Sequence, residues 1–88
     1  MKLKNTFESV DMGNEIIMVP VGKSAEQVQG VLKLNAEGLE IMNMLEIDTT
    51  EEQMVDALAA KYENERDNLA RYVQNVLNIL RNAGLIEE

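Results

Sequence analysis

The chain contains no cysteine and no histidine. The first absence excludes a disulfide framework, a thiolate metal site and a nucleophilic thiol. The second removes the commonest general base and the imidazole metal ligand. Aromatics are scarce, with two tyrosines, one phenylalanine and no tryptophan, so the core must be built from aliphatic side chains and methionine. No apolar run approaches the ~18–20 residues that a helix needs to cross a bilayer. Met1-Lys2-Leu3-Lys4 is not followed by an apolar stretch, so no signal peptide is expected. Together with the missing cysteines, this suits a cytoplasmic protein. Its 88 residues make one small domain, 1–88, that buries roughly 60–65% of its unfolded surface.

What is present is acid, unevenly placed. The net charge is −8. Residues 1–34 balance Lys2, Lys4, Lys23 and Lys33 against Glu8, Asp11, Glu15 and Glu26. Residues 35–88 therefore carry the whole excess. An acidic half repels phosphate backbones and also serves solubility.

The apolar pattern divides the chain in the same place. Residues 7–10 and 16–21 are predicted strands, joined by Asp11-Met12-Gly13-Asn14, which supplies turn chemistry. Pro20 cannot donate to a ladder and belongs at a strand end or an edge. Residues 22–29 form a polar loop with room for one helical turn. A third strand spans 30–34, from Gly30 to Leu34. Asn35 then caps a helix over 36–45, with Leu34, Gly38, Ile41, Met42 and Leu45 on one stripe. Gly38 inside that helix suggests close approach to a neighbouring backbone.

A second helix over 50–62 buries Met54, Val55, Leu58 and Tyr62. Its start is a capping box, either Thr49 with Glu52 or Thr50 with Gln53. A third helix covers 65–83, with Asn64 as its N-cap candidate. It carries Leu69, Tyr72, Val73, Val76, Leu77, Leu80 and Ala83, and Ile79 widens this face. Gly84 ends it, with Leu85 folding back on Leu80. Three strands followed by three helices is an α+β order with a small antiparallel sheet.

Little catalytic chemistry is available. Glu37 with Glu40, and Glu51 with Glu52, are the carboxylate pairs close in sequence, and both suit helix starts facing water. There is no phosphate-cradling glycine pattern. The protein is therefore expected not to be an enzyme, and to bind no cofactor or metal. A winged-helix DNA-binding regulator is the alternative, with Arg66, Arg71 and Arg81 on the recognition helix. Those arginines stand among acids, and the sequence pI of about 4.4 opposes it. The methionines Met42, Met44 and Met54 fit core filling.

A small sheet with an exposed edge can accept another extended chain through main-chain hydrogen bonds. The third strand is the candidate edge, and the broad face of the third helix is the candidate wall beside it. Leu32 is expected to offer one of the open backbone donors. A dimer pairing its own third strands would use the same edge.

The sequence resembles the coenzyme PQQ synthesis protein D (PqqD) family, small domains also called RiPP recognition elements. The resemblance rests on Val19-Pro20-Val21-Gly22, Gly30 ahead of Leu34-Asn35, then Gly38 and Leu45. It continues in Thr49 or Thr50 with Glu51 and Glu52, then Tyr62, then Leu80 with Gly84-Leu85-Ile86. It implies a winged-helix-like fold that binds the leader segment of a ribosomally made precursor peptide and presents it to a radical S-adenosylmethionine maturase. Neither nucleic acid nor membrane is then a partner; a homodimer is compatible. Carried over residue by residue, the leader would pair along Val31, Leu32, Lys33 and Leu34. It would lie against Tyr72, Asn75, Val76 and Ile79. Two positions depart from the family's habit: Met42 stands where a tryptophan is frequent, and Tyr72 where an aspartate is.

Overall fold

A computed structural model describes residues Met1–Glu88. The elements run β1 (Lys2–Leu3), β2 (Phe7–Asp11), β3 (Ile16–Pro20), α1 (Ser24–Gln27), β4 (Leu32–Leu34), α2 (Ala36–Met44), α3 (Glu51–Lys61), α4 (Arg66–Asn82) and β5 (Ile86–Glu87). The α+β architecture expected from the sequence is the one observed. An antiparallel sheet of order β2-β3-β4 precedes three principal helices. The sequence did not announce α1 as more than a possible turn, and it gave no sign of β1 and β5. These last two pair antiparallel, Lys2 with Glu87 and Leu3 with Ile86. Leu3 N–H also donates to Leu45 O, and Lys4 N–H to Leu85 O, both at 2.9 Å. Two-residue strands carry too little pattern to be read, and only the meeting of the chain ends creates them.

Each helix boundary has a local cause. Asn35 Oδ1 accepts from the Gly38 N–H at 2.9 Å and starts α2. Thr50 and Gln53 form the reciprocal capping box of α3, with both bonds at 3.1 Å. Of the two boxes the sequence allowed, this is the one made. The neighbouring Thr49 is buried and donates its hydroxyl to the same Gln53 oxygen. The N-cap of α4 is Glu65 rather than Asn64, and no side chain caps it. Arg66, in its first turn, is instead ion-paired to Asp56 of α3. The far end of α4 closes as a Schellman motif. Leu85 N–H reaches Leu80 O and Gly84 N–H reaches Arg81 O, both at 2.9 Å. Gly84 sits at φ +74°, which a side chain would oppose.

The core is one cluster. Ile41, Met42, Leu45, Met54, Leu58, Val73, Leu77 and Leu80 are its most deeply buried members, and Met18 of β3 reaches them from the sheet. Leu32 and Leu34 pack against the cluster from β4. Met42, where the resemblance leads one to expect a tryptophan, is 1% exposed and belongs to this cluster.

Gly38 has a different neighbour from the one expected. A Cβ there would lie 3.2 Å from Leu34 Cβ and Cδ2, and 3.3 Å from Asn35 Oδ1. The close approach is to the side chains that end β4 and cap α2, not to another backbone. In an open helix Gly→Ala gains about 1 kcal/mol. Here Leu34 Cβ is fixed to the strand and Asn35 Oδ1 is held by hydrogen bonds, so neither yields cheaply. Overpacking of this kind costs about 1–3 kcal/mol. Gly38→Ala is therefore expected to lower the thermal midpoint followed by circular dichroism. A raised midpoint would show that the neighbours give way.

Candidate functional site

The site is built from the free edge of β4 and the side of α4 that runs beside it. Two bonds set the phase of the β2–β3 ladder. Val21 N–H donates to Thr6 O at 3.0 Å at one end, and Met12 N–H to Glu15 O at 2.8 Å at the other. Hydrogen-bonded pairs alternate along an antiparallel ladder. Ile17 and Val19 thus turn their backbone groups to β2, while Ile16, Met18 and Pro20 turn theirs to β4. Ile16 pairs with Leu34 and Met18 with Leu32. Leu32 and Leu34 therefore direct their N–H and C=O groups inward, to β3. Lys33, and Val31 before it, direct theirs outward.

This corrects the sequence-level expectation that Leu32 offers an open donor: its amide is already engaged inside the sheet. It also explains why β4 begins at Leu32 rather than Gly30. Continuing the register places Gly30 opposite Pro20, which has no N–H to give. No hydrogen bond outside the ladder engages residues 29–33, so the outer row is free.

Helix α4 runs antiparallel to β4 along this edge. At one end Tyr72 donates its hydroxyl to Asn35 Oδ1 at 2.6 Å. At the other, Gly30, Val31 and Leu32 share a cavity of about 350 Å³ with Ala83, Gly84 and Leu85. The span from Tyr72 to Ala83 is about 16 Å of helix, which matches about 16 Å of extended chain from Gly30 to Asn35. A smaller hollow, about 230 Å³, lies at the Tyr72 end between Asn35, Glu37, Asn68 and Tyr72.

The positions of α4 that repeat along this side are Asn68, Tyr72, Asn75, Ile79 and Ala83. None is charged, whereas Arg66, Asp67, Arg71 and Arg81 fall elsewhere on the helix. Ile79 is 61% exposed and Val31 is 51% exposed, so each wall presents a large apolar side chain to solvent. Asn75 is exposed and Tyr72 half-buried, but Val76 is buried in the core. Of the four helix residues expected at the site, Val76 supports the wall from beneath. On the strand, Lys33 is exposed, and Leu32 and Leu34 are the core-facing anchors. Sequence reasoning missed Asn35 as a site residue and the run from Val28 to Gly30, which forms the cavity rim. The cap signal at Asn35 was legible, but its second bond, to Tyr72, was not.

The approach to β4 is held in place. Ser24 Oγ accepts from the Thr6 N–H at 2.8 Å, and Asn5 Nδ2 donates to Gln27 Oε1 at 2.8 Å. These bonds latch α1 to the chain before β2. Gly30 turns at φ +86° to deliver the chain into the strand.

The ionisable groups nearby do structural work. Glu40 accepts from Lys61 Nζ at 2.7 Å, and that bond holds its carboxyl below the usual range. Burial pushes the Tyr72 phenol above the ordinary tyrosine value; the hydrogen bond to Asn35 opposes this in part, and Glu37 adds to it. Tyr62 is raised as well, by desolvation and then by the neighbouring Glu40 carboxylate. No group of three or more acidic side chains is arranged to hold a metal ion. No helix is long and apolar enough to cross a membrane.

The family model of coenzyme PQQ synthesis protein D (PqqD) matches residues 15–86. The chain belongs to the PqqD family. Two solved structures share its fold. TbiB1 in complex with the TbiA(beta) leader peptide is 26% identical, with a TM-score of 0.72 over 99% of this chain and 95% of that one. Lasso peptide synthetase B1, complexed with the leader peptide, superposes with a TM-score of 0.71 over 99% and 96% of the two chains. At 15% identity it supports the fold alone. No curated protein matches the chain in sequence.

The PqqD fold sets the arginines of the DNA-binding alternative in poor positions. Arg66 is ion-paired to Asp56, and Arg81 to Glu88 at 2.9 Å and Glu51 at 3.7 Å. Only Arg71 has no carboxylate partner, which does not favour a phosphate-binding helix.

Because the neutral phenol of Tyr72 is the favoured form, its contribution to stability is complete below the ordinary tyrosine pKa. It is lost as pH rises through the higher folded value. Ultraviolet titration should show both phenols ionising late, and Tyr72→Phe should leave only Tyr62. Unfolding midpoints of the wild type should fall more steeply above pH ~10 than those of Tyr72→Phe. Equal slopes would show that burial does not hold the Tyr72 phenol above its ordinary value.

Proposed function

We propose that this PqqD-family chain binds the leader segment of a ribosomally synthesised precursor peptide. The leader adds as a strand along β4 and presents its precursor to a modifying enzyme. The observation that carries the reading is the unpaired outer row of Val31 and Lys33, set beside an uncharged stripe of α4. Main-chain groups of a guest strand would meet the donors and acceptors of Val31 and Lys33. Its alternate side chains would lie on Tyr72, Asn75 and Ile79, with Val76, Leu32 and Leu34 holding the two walls apart. Support comes from the family and from TbiB1, whose structure holds a leader peptide.

The chain in this reading is an adaptor without catalytic groups of its own. Its gain is proximity. A precursor held next to its enzyme by a short flexible tether reaches an effective concentration on the order of millimolar. A radical S-adenosylmethionine maturase is the enzyme class that the family resemblance implies. Lys33, exposed on the strand, favours leaders with an acidic residue near it.

Titration with leader peptides encoded beside the gene tests the site by amide chemical shifts. They are expected to move along residues 30–35 and on the Tyr72–Ala83 side of α4. A sharper test uses two substitutions at one position. Lys33→Pro deletes an outward N–H, whereas Lys33→Ala keeps it. Losing one hydrogen bond, with its partner left unmet, costs about 1–3 kcal/mol, so Lys33→Pro should weaken binding roughly tenfold or more. Lys33→Ala should change affinity only slightly. Equal affinities for the two folded variants would sink strand addition at this edge.

A further inference from the structure

Three carboxylates of the chain, those of Glu37, Glu40 and Glu51, belong to half-buried residues. Glu40 is paired with Lys61 at 2.7 Å and Glu51 with Arg81 at 3.7 Å. Glu37 has no cation partner. A carboxylate in the first turn of a helix needs none when water surrounds it. Glu37 is instead part of the wall of the hollow of about 230 Å³ at the Tyr72 end of the β4 edge.

The rest of that wall suits a cation. Tyr62, Asn64, Asn68 and Tyr72 line it with Glu37, and no basic side chain does. Burial raises both phenols. At Tyr62 the Glu40 carboxylate adds to this, at Tyr72 the Asn35 bond opposes it, and the Glu37 charge contributes at each ring. The carboxylate is therefore within electrostatic reach of both tyrosines. Asn64 and Asn68 are exposed, and each brings an amide oxygen able to accept. One negative charge, two aromatic rings and neutral acceptors form a set that matches a guanidinium, which stacks on rings and spreads its donors in a plane. The helices α2 and α4 both start here, and a helix start is worth about half a positive charge. Glu37 and Asp67, in their first turns, each carry a full negative one.

We infer that this hollow takes an arginine side chain of the bound leader. It does so only if the leader adds along β4, as proposed above. Side chains alternate along a strand. Guest residues opposite Leu32 and Leu34 face the α4 side. The next one on that side stands about 7 Å beyond Leu34, past Asn35, where the hollow begins. The far end of the groove has the opposite character. Around its cavity of about 350 Å³, Lys4 is the one charged residue. An arginine is thus attracted at one end and repelled at the other, which sets the direction in which a leader lies on the edge.

Selection of phage-displayed random dodecapeptides on the wild-type protein tests this. Enriched peptides whose binding Lys33→Pro weakens are expected to share an arginine at a fixed position, with lysine the poorer substitute. For the tightest of them, fluorescence anisotropy should show Glu37→Gln weakening binding about tenfold, the size of one hydrogen bond between charged groups. Once the arginine of the peptide is replaced by glutamine, Glu37→Gln should cost nothing further. Glu37→Gln removes the charge and keeps the size, and far-ultraviolet circular dichroism checks its fold. Peptides that Lys33→Pro weakens but that share no arginine, or that ignore Glu37→Gln, would overturn the arginine site and leave strand addition standing. A selection that yields no peptide sensitive to Lys33→Pro would remove both.

Discussion

One oxygen atom fixes the relation between the strand and the helix on which the proposed function depends. Asn35 Oδ1 accepts from the Gly38 N–H, which starts α2, and from the Tyr72 hydroxyl, which belongs to α4. The strand ends, the next helix begins and the last helix is tethered at a single side chain. An N-cap of this kind contributes about 1 kcal/mol to stability, which is modest. Its geometric consequence is larger. With this end pinned and the Gly30–Leu32 end bounded by Ala83–Leu85, α4 lies alongside the edge of β4. Gly38 belongs to the same arrangement, since its missing Cβ leaves the space that Leu34 and Asn35 occupy.

An open strand edge is ordinarily a hazard, because it invites aggregation. The chain limits the hazard by length and by charge. β4 has only three residues, since Pro20 stops the ladder from reaching Gly30. Lys33, the one residue of β4 whose backbone groups face outward, is charged. Helix α4 restricts approach further, so a guest strand must fit between the edge and the uncharged stripe. A short, guarded edge suits a transient peptide ligand better than a permanent partner.

The same strand offers two surfaces at right angles. Its edge carries the backbone groups on which the proposed leader binding rests. Its outer face carries the side chains of Val31 and Lys33, in rows shared with β2 and β3. A guest strand on the edge would widen the sheet, and half of its side chains would join that outer face.

The local sequence determined most of the elements. Turn residues at Asp11–Asn14, the caps at Asn35 and Thr50, the Gly84-Leu85 ending and the 3.6-residue spacing of α4 act over a few positions, so they are legible without a fold. The family pattern was legible for the same reason, being a string of such local signals. Only tertiary structure decided which amides of β4 are free, because phase in an antiparallel ladder is set by the partner strand and not by the strand itself. Leu32 was therefore read as open and is engaged, while Lys33 is the outward donor. It also decided that Val76 is core and that Tyr72 is bonded to Asn35, 37 residues away. The β1–β5 pairing comes from the same source, because two residues at each end of a chain carry no signal until the fold brings them together.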